Sequence, residues 1–215
     1  MEPTWLNAFF QLLTENCQQA DLPQRFSKVG IICFNYDRCI EHFLYCSLQN
    51  YYFMQPDVAS EVLTHLEIYH PYGMVGKLPW QGGENEGFEF GGTPTPMQLL
   101  SLADQLRTFT EGIDSENSHI SGIRKIFSSA SRIAFLGFAF HRLNIELLFT
   151  NHSNNDKSCS VYATAHGISE TDIEIIKQDV LDGAGINRNQ KQIHFRSDLK
   201  CSQLFSEFGR SLSLQ

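Results

Sequence analysis

The chain has little charge, no basic excess and no long apolar run. Charged residues make up 19% of its 215 residues, and they sum to −8 with histidine neutral. A nonspecific nucleic-acid binder needs a basic face, so no nucleic-acid partner is expected. No run of like charges marks an interaction tail. No apolar segment reaches about eighteen residues, the length of a membrane-spanning helix, so no membrane partner is expected either. The start, Met1-Glu2-Pro3-Thr4, lacks the basic and apolar stretches of a secretory leader, and a cytoplasmic protein is expected. Six cysteines are present, but none forms a Cys-x-x-Cys pair. The spacing of Cys33, Cys39 and Cys46 does not suit zinc, so no metal is expected. The cysteines read as small core hydrophobes in a reducing compartment.

Apolar and aromatic residues are abundant. The chain is 42% hydrophobic and 12% aromatic, with seventeen Phe. That is enough to bury a core dominated by ring packing. The length suits a single domain over residues 1–215, with a Gly/Pro-rich loop over 81–96. Long irregular loops in compact domains are usually functional or disordered.

Strand and helix patterns alternate along the chain. Residues 3–19 read as an amphipathic helix with Trp5, Phe9, Leu12 and Leu13 on one face. Val29 to Phe34 is an apolar run that suits a strand buried on both faces of a parallel sheet. A helix follows over 38–48, then a loop with exposed aromatics over 50–57 and a short helix over 58–64. A second strand over 66–70 ends in the turn His70-Pro71-Tyr72-Gly73. Helices are expected over 97–109 and 119–129. A third strand over 132–138 leads into a helix through Leu148, a polar loop covers 151–157, and a fourth strand spans 159–165. Ser169 starts a helix that runs to Leu181, with Asp172 completing a variant capping box. A last strand over 191–195 precedes a terminal helix over 197–212. This alternation predicts an α/β fold, a Rossmann-like three-layer arrangement with a mostly parallel sheet.

Three strand ends carry the chemistry. Open α/β sheets place their ligands outside the carboxyl ends of their strands. The first end offers Asn35 and Asp37, poor strand formers that stop an apolar run. The second offers His70, Tyr72 and the backbone of Gly73. The third offers Gly137, then His141 and Asn144. Backbone N–H groups at a Gly-bounded strand-to-helix turn suit a phosphate or ribose. Each residue has a plainer reading beside this one. Asn35 and Asp37 are good helix caps. His70 and Tyr72-Gly73 suit a tight turn, Gly137 suits close helix–strand packing, and His141 and Asn144 suit capping or solvent.

Read together, these residues resemble the sirtuin-like NAD-binding domains, including bacterial members that hydrolyse NAD and act in defence against phage. Phe34-Asn35-Tyr36-Asp37, followed by Glu41, is similar to that family's "NYD…E" motif. His70-Pro71-Tyr72-Gly73 resembles a variant of its "HG" strand end. Phe135-Leu136-Gly137-Phe138 resembles its later "GxS" strand end. The likeness spans roughly residues 26–212. It implies NAD as substrate or ligand and cleavage of the nicotinamide–ribose bond. Asn35 would orient the ribose or the attacking water, His70 would act as general base and Asp37 would orient the base or hold a ribose. Phe34, Tyr36, Tyr72, Gly73, Gly137, Phe138, His141 and Asn144 would line the cofactor.

The sequence departs from the family's pattern in two places. The Gly-Ala-Gly turn that cradles the pyrophosphate is missing before Phe26, and the only such triplet, Gly183-Ala184-Gly185, follows a helix. The first βα unit is therefore expected to be absent, which exposes a sheet edge suited to pairing with a second copy or a partner protein. Tyr72 stands directly before Gly73 where the family has His, and a phenol that titrates near 10 is a poor base at neutral pH. A catalytically degenerate module, acting as a scaffold or an ADP-ribose-type sensor, is the alternative function. The family's deacetylases usually carry a four-Cys zinc module; none is present, so deacetylation is not expected.

Overall fold

The computed structural model describes residues 4–82, 87–106, 118–149, 158–187 and 192–214. By its internal contacts the chain divides into two compact units, one of Leu13–Asp114 with Leu214–Gln215, the other of Met1–Leu12 with Ser115–Ser213. Both are mixed α/β, and every strand pair among the described residues is parallel.

In the unit of Leu13–Asp114, helix α2 (Leu22–Phe26) leads into strand β1 (Gly30–Ile32), then α3 (Cys39–Tyr52), α4 (Pro56–Leu63) and strand β2 (Glu67–Tyr69). Pairing runs Gly30 to Glu67, Ile31 to Ile68 and Ile32 to Tyr69, and Cys33 N–H extends it onto the Tyr69 carbonyl at 2.8 Å. Ile40, Leu44 and Leu48 recur every four residues on α3 and are buried. With Leu22 and Phe26 of α2 and Ala59, Val62 and Leu63 of α4 they form a core in which each side chain is at most 7% exposed. Sequence periodicity also ended α3 too early. The helix continues to Tyr52 and stops where Phe53 takes a left-handed conformation, φ 54°. The expected loop aromatics are nonetheless outside, with Tyr51 and Phe53 both exposed. β1 is shorter than the apolar run and is not buried on both faces: Gly30 is exposed, and Ile31 and Ile32 are half-buried. Pairing with β2 alone covers less of a strand than an interior place in a wide sheet.

Beyond β2 the described residues 70–82 and 87–92 contact α3 and also bond to one another, with Phe88 N–H donating to the Lys77 carbonyl at 2.8 Å. A short 3-10 turn covers Pro79–Gln81, and α5 (Pro96–Ala103) begins at Thr95, whose hydroxyl accepts from Gln98 N–H. Pro96 sits at the first turn, where its missing N–H costs no hydrogen bond. The helix expected over 97–109 ends at Ala103, with 107–109 outside the described residues, and the polar loop expected over 151–157 lies wholly outside them.

The other unit contains most of α1 (Trp5–Thr14), then α6 (Ser118–Ser129), β3 (Arg132–Phe135), α7 (Arg142–Leu148), β4 (Ser160–Thr164), α8 (Glu170–Ala184), β5 (Ile193–Arg196) and α9 (Cys201–Leu212). The sheet order is β3-β4-β5, so β4 has a neighbour on each side. Val161, Tyr162, Ala163 and Thr164 are all buried, the near-continuous burial expected of a covered parallel strand. The apolar face of α1 meets α9 here: Trp5 stacks on Phe205 with ring centres 6.4 Å apart, and Phe9 tilts against the same ring. Ser169 caps α8, accepting from Asp172 N–H as the capping box requires. The last helix starts at Cys201, later than expected. Arg196 and Asp198 pair at 2.8 Å in the stretch before it.

Candidate site at the carboxyl ends of β1 and β2

Because β1 and β2 are parallel neighbours, their carboxyl ends lie side by side. Phe34, Asn35, Tyr36 and Asp37 leave one end, and His70, Pro71, Tyr72 and Gly73 leave the other. The structure therefore brings together the first two sets of residues singled out in the sequence. Asn35, Tyr36 and Asp37 are exposed. The Asn35 side-chain amide makes no hydrogen bond among the described residues. Asp37 Oδ1 accepts from Cys39 N–H at 2.9 Å, so its carboxylate braces the start of α3. Phe34 packs edge-on against the buried Tyr72, ring centres 5.8 Å apart.

His70 is the centre of this arrangement. Its side chain is 6% exposed. Nδ1 lies 2.9 Å from the Asn35 carbonyl oxygen, and Nε2 lies 2.7 Å from Glu41 Oε1, whose side chain is 3% exposed. A carbonyl oxygen only accepts, so Nδ1 carries a proton and donates it. Nε2 then shares a proton with a buried carboxylate. Burial opposes the charged imidazole. The Cys33 thiol, the hydrogen bond and charge of Glu41 and the Asn35 carbonyl outweigh that effect and raise His70 to about 10. His70 is thus an imidazolium at neutral pH with both ring nitrogens engaged. A general base needs a lone pair within reach of the proton it takes. In this geometry His70 offers none; it grips the main chain of the Asn35 turn.

The backbone explains the turn after β2. Gly73 has φ +83°, and its N–H donates to the His70 carbonyl at 3.0 Å. A Cβ there would lie 1.9 Å from the Gln105 carbonyl oxygen, so glycine is required twice over. Two residues on, Val75 N–H donates to the Tyr36 carbonyl at 2.9 Å and ties this turn to the first.

Two charged residues that sequence reasoning did not assign to the site prove central. Glu41 is 2% exposed and Arg38 5%. Arg38 donates to the carbonyls of Lys77, Phe88 and Glu89, and its guanidinium lies 5.7 Å from the Phe88 ring centre. His42 stacks on Phe90 at 4.1 Å, and Tyr45 stacks on Trp80 at 4.7 Å. Positions 38, 42 and 45 share one face of α3 at helical spacing. A signal existed in the sequence: Glu41 interrupts a helix whose neighbouring positions Ile40, Leu44 and Leu48 are all apolar.

The third strand end lies in the other unit. Gly137 has φ +60°, but its N–H donates to Thr164 Oγ1 at 2.9 Å, so this amide is used within the fold. Phe138 joins Phe135 and Phe140 in a ring cluster with centres 5.1–5.4 Å apart. His141 is the N-cap of α7, its Nδ1 accepting from Leu143 N–H at 3.4 Å. Asn144 lies in the first turn of that helix and is half-buried.

The chain matches no family model, no curated protein and no solved structure. Among the described residues no helix is long and apolar enough to cross a membrane. None of the six cysteines forms a disulfide, and Cys17, Cys33 and Cys159 are buried.

Proposed function

We propose that this chain is a sirtuin-like, Rossmann-type domain that binds NAD and cleaves its nicotinamide–ribose bond, with the turn Phe34–Asp37 as the ribose end of the site. One observation carries the reading. An exposed, unengaged Asn35 amide projects from a turn fixed at the carboxyl ends of two adjacent parallel strands, where α/β sheets place ligands. Nicotinamide leaves as a neutral group, and the sugar gains positive charge as it goes. The protein then needs to fix a hydroxyl or water and to tolerate that charge, more than it needs a strong base. Asn35 supplies the first, and the exposed Asp37 supplies negative charge beside it. His70 serves as a fixed support.

The test is nicotinamide release from NAD by purified protein. Asn35→Ala is expected to abolish it, and turnover unchanged in that variant refutes the assignment. A second reading, binding of NAD or an ADP-ribose-like molecule without turnover, is favoured by the engagement of both His70 nitrogens. It is distinguished by a thermal shift with either ligand and no nicotinamide release, since a ligand that binds only the folded state must stabilise it. No shift with either ligand favours a scaffold.

A further inference from the structure

The six thiols differ in what each one faces. Cys17, Cys33 and Cys159 are buried, and their thiols donate to the main-chain carbonyls of Gln18, Asn35 and Ser160 at 3.6–3.7 Å. A carbonyl oxygen accepts a hydrogen bond but is too weak a base to take the proton. Cys39 is exposed at the head of α3, yet desolvation and the neighbouring Asp37 carboxylate push its thiol up to about 11. Cys201 is half-buried at the head of α9, its Sγ 3.6 Å from where a Cβ on Gly137 would lie. Cys46 meets a base. Its Sγ lies 3.7 Å from His42 Nε2, one turn earlier on α3. The His42 ring is itself held in place, stacked on Phe90 with centres 4.1 Å and planes 4° apart.

We propose that Cys46 is the reactive thiol of this chain, a site of mixed-disulfide formation with small disulfides, and that His42 is the base that receives its proton. The thiolate, not the thiol, attacks a disulfide. A nucleophile is activated by an adjacent base that a third group holds in orientation. Here the thiol donates to Nε2, which is then the unprotonated ring nitrogen, and the stack on Phe90 fixes the plane of the ring. Burial pushes the Cys46 thiol up, so the resting pair is a thiol and an imidazole. A thiolate raised in this way is the stronger nucleophile once formed. In the exchange Nε2 takes the Sγ proton and Sγ attacks one sulfur of the disulfide. A new S–S bond forms at Cys46, the old one breaks, and the leaving thiolate recovers the proton from the imidazolium. One thiol is exchanged for another, with no outside oxidant. Cys46 is half-buried, which admits a small disulfide more readily than a second protein. The pair lies on α3 and does not rest on the NAD reading.

The test incubates the full chain, freed of reductant, with glutathione disulfide at neutral pH. Mass spectrometry of the digested protein locates each mixed disulfide over time, with fragmentation separating Cys39 from Cys46. Cys46 is expected to react first, roughly ten-fold faster than the more exposed Cys39. His42→Phe keeps a ring for Phe90 to stack on and removes the base. It is expected to slow Cys46 by roughly ten-fold and to leave Cys39 and Cys201 at their wild-type rates. His42→Asn removes the base without adding bulk and is expected to do the same. Reaction at Cys39 or Cys201 ahead of Cys46 in the wild-type chain overturns the proposal whatever the variants do. An unchanged Cys46 rate in either variant, with the other thiols as in wild type, also overturns it.

Discussion

Replacing His70 by Ala removes the only hydrogen-bonding partner of Glu41 among the described residues. Glu41 is 3% exposed at its side chain, and its second oxygen already lacks a partner. The variant therefore leaves a buried carboxylate with no side-chain hydrogen-bond partner among the described residues. Breaking a buried pair from one side costs about 3–5 kcal/mol, against a typical domain stability of about 5–15 kcal/mol. The raised pKa of the same pair points to the same order. A rise from 6.5 to about 10 is worth roughly 5 kcal/mol at about 1.4 kcal/mol per decade. The sign with pH follows. The folded state holds the proton more tightly than the unfolded state. The contribution is therefore complete below about pH 6.5 and is lost as pH rises towards about 10. Between those limits wild-type stability should fall by about 1.4 kcal/mol per pH unit relative to the variant.

Trp80 is one of two tryptophans and stacks on Tyr45 within the same unit, so a Trp5→Phe background leaves it as the sole fluorescent reporter. Urea unfolding followed at Trp80 at several pH values between 6 and 10 gives the comparison. The difference between wild type and variant is the quantity to read, because contributions common to both cancel in it. A paired change, His70→Phe with Glu41→Leu, removes both charges and should recover most of the loss, since an apolar pair replaces a buried ion pair at little cost. A wild-type-minus-variant stability that does not change with pH would refute the imidazolium–carboxylate pair. A double variant no more stable than His70→Ala alone would show that the loss came from packing.

Two substitutions probe the turns themselves. Gly73→Ala should cost more than about 2 kcal/mol, because the residue sits at φ +83° and its Cβ would lie 1.9 Å from the Gln105 carbonyl oxygen; a denaturation midpoint near wild type would refute the turn geometry. Thr164→Val should cost about 1 kcal/mol through loss of the Gly137 N–H bond, seen as faster exchange at the Gly137 amide. An unchanged amide there would mean that Gly137 is held by something else.

The sequence made the alternation of strands and helices readable, because periodicity changes sharply at Asn35, at Pro71 and at Gly137. Element ends were less legible. α3 outran its expected end at Leu48 because its last turn is set by the left-handed Phe53 rather than by Gly or Pro. The terminal helix starts at Cys201 with Lys200 as its N-cap, a boundary that local propensity did not mark. At the site, Asn35 and His70 stood out as polar breaks at strand ends, and they do meet. The role of Glu41 is not legible in the sequence, because its meaning depends on a partner twenty-nine positions away in the turn after β2. Arg38 was opaque for the same reason: its acceptors are main-chain carbonyls, which carry no sequence signature.

The charge state of the buried pair limits what the Asn35 turn can favour. A lone imidazolium beneath the turn would oppose a sugar that becomes positive as nicotinamide leaves. Glu41 cancels it, so the pair fixes the main chain while contributing little net field. Asp37 puts an exposed carboxylate on the turn, of the sign that would stabilise a cationic sugar in the proposed cleavage. Under the proposed function, the same carboxylate would repel a pyrophosphate, so the ribose and nicotinamide end of the dinucleotide is the end proposed to meet the turn. Neither carboxylate is free to move: Glu41 is fixed by His70, and Asp37 by the Cys39 amide at the head of α3. Preorganised charge of this kind needs no reorganisation when the bond breaks, which is why a site without a free base is still compatible with cleavage.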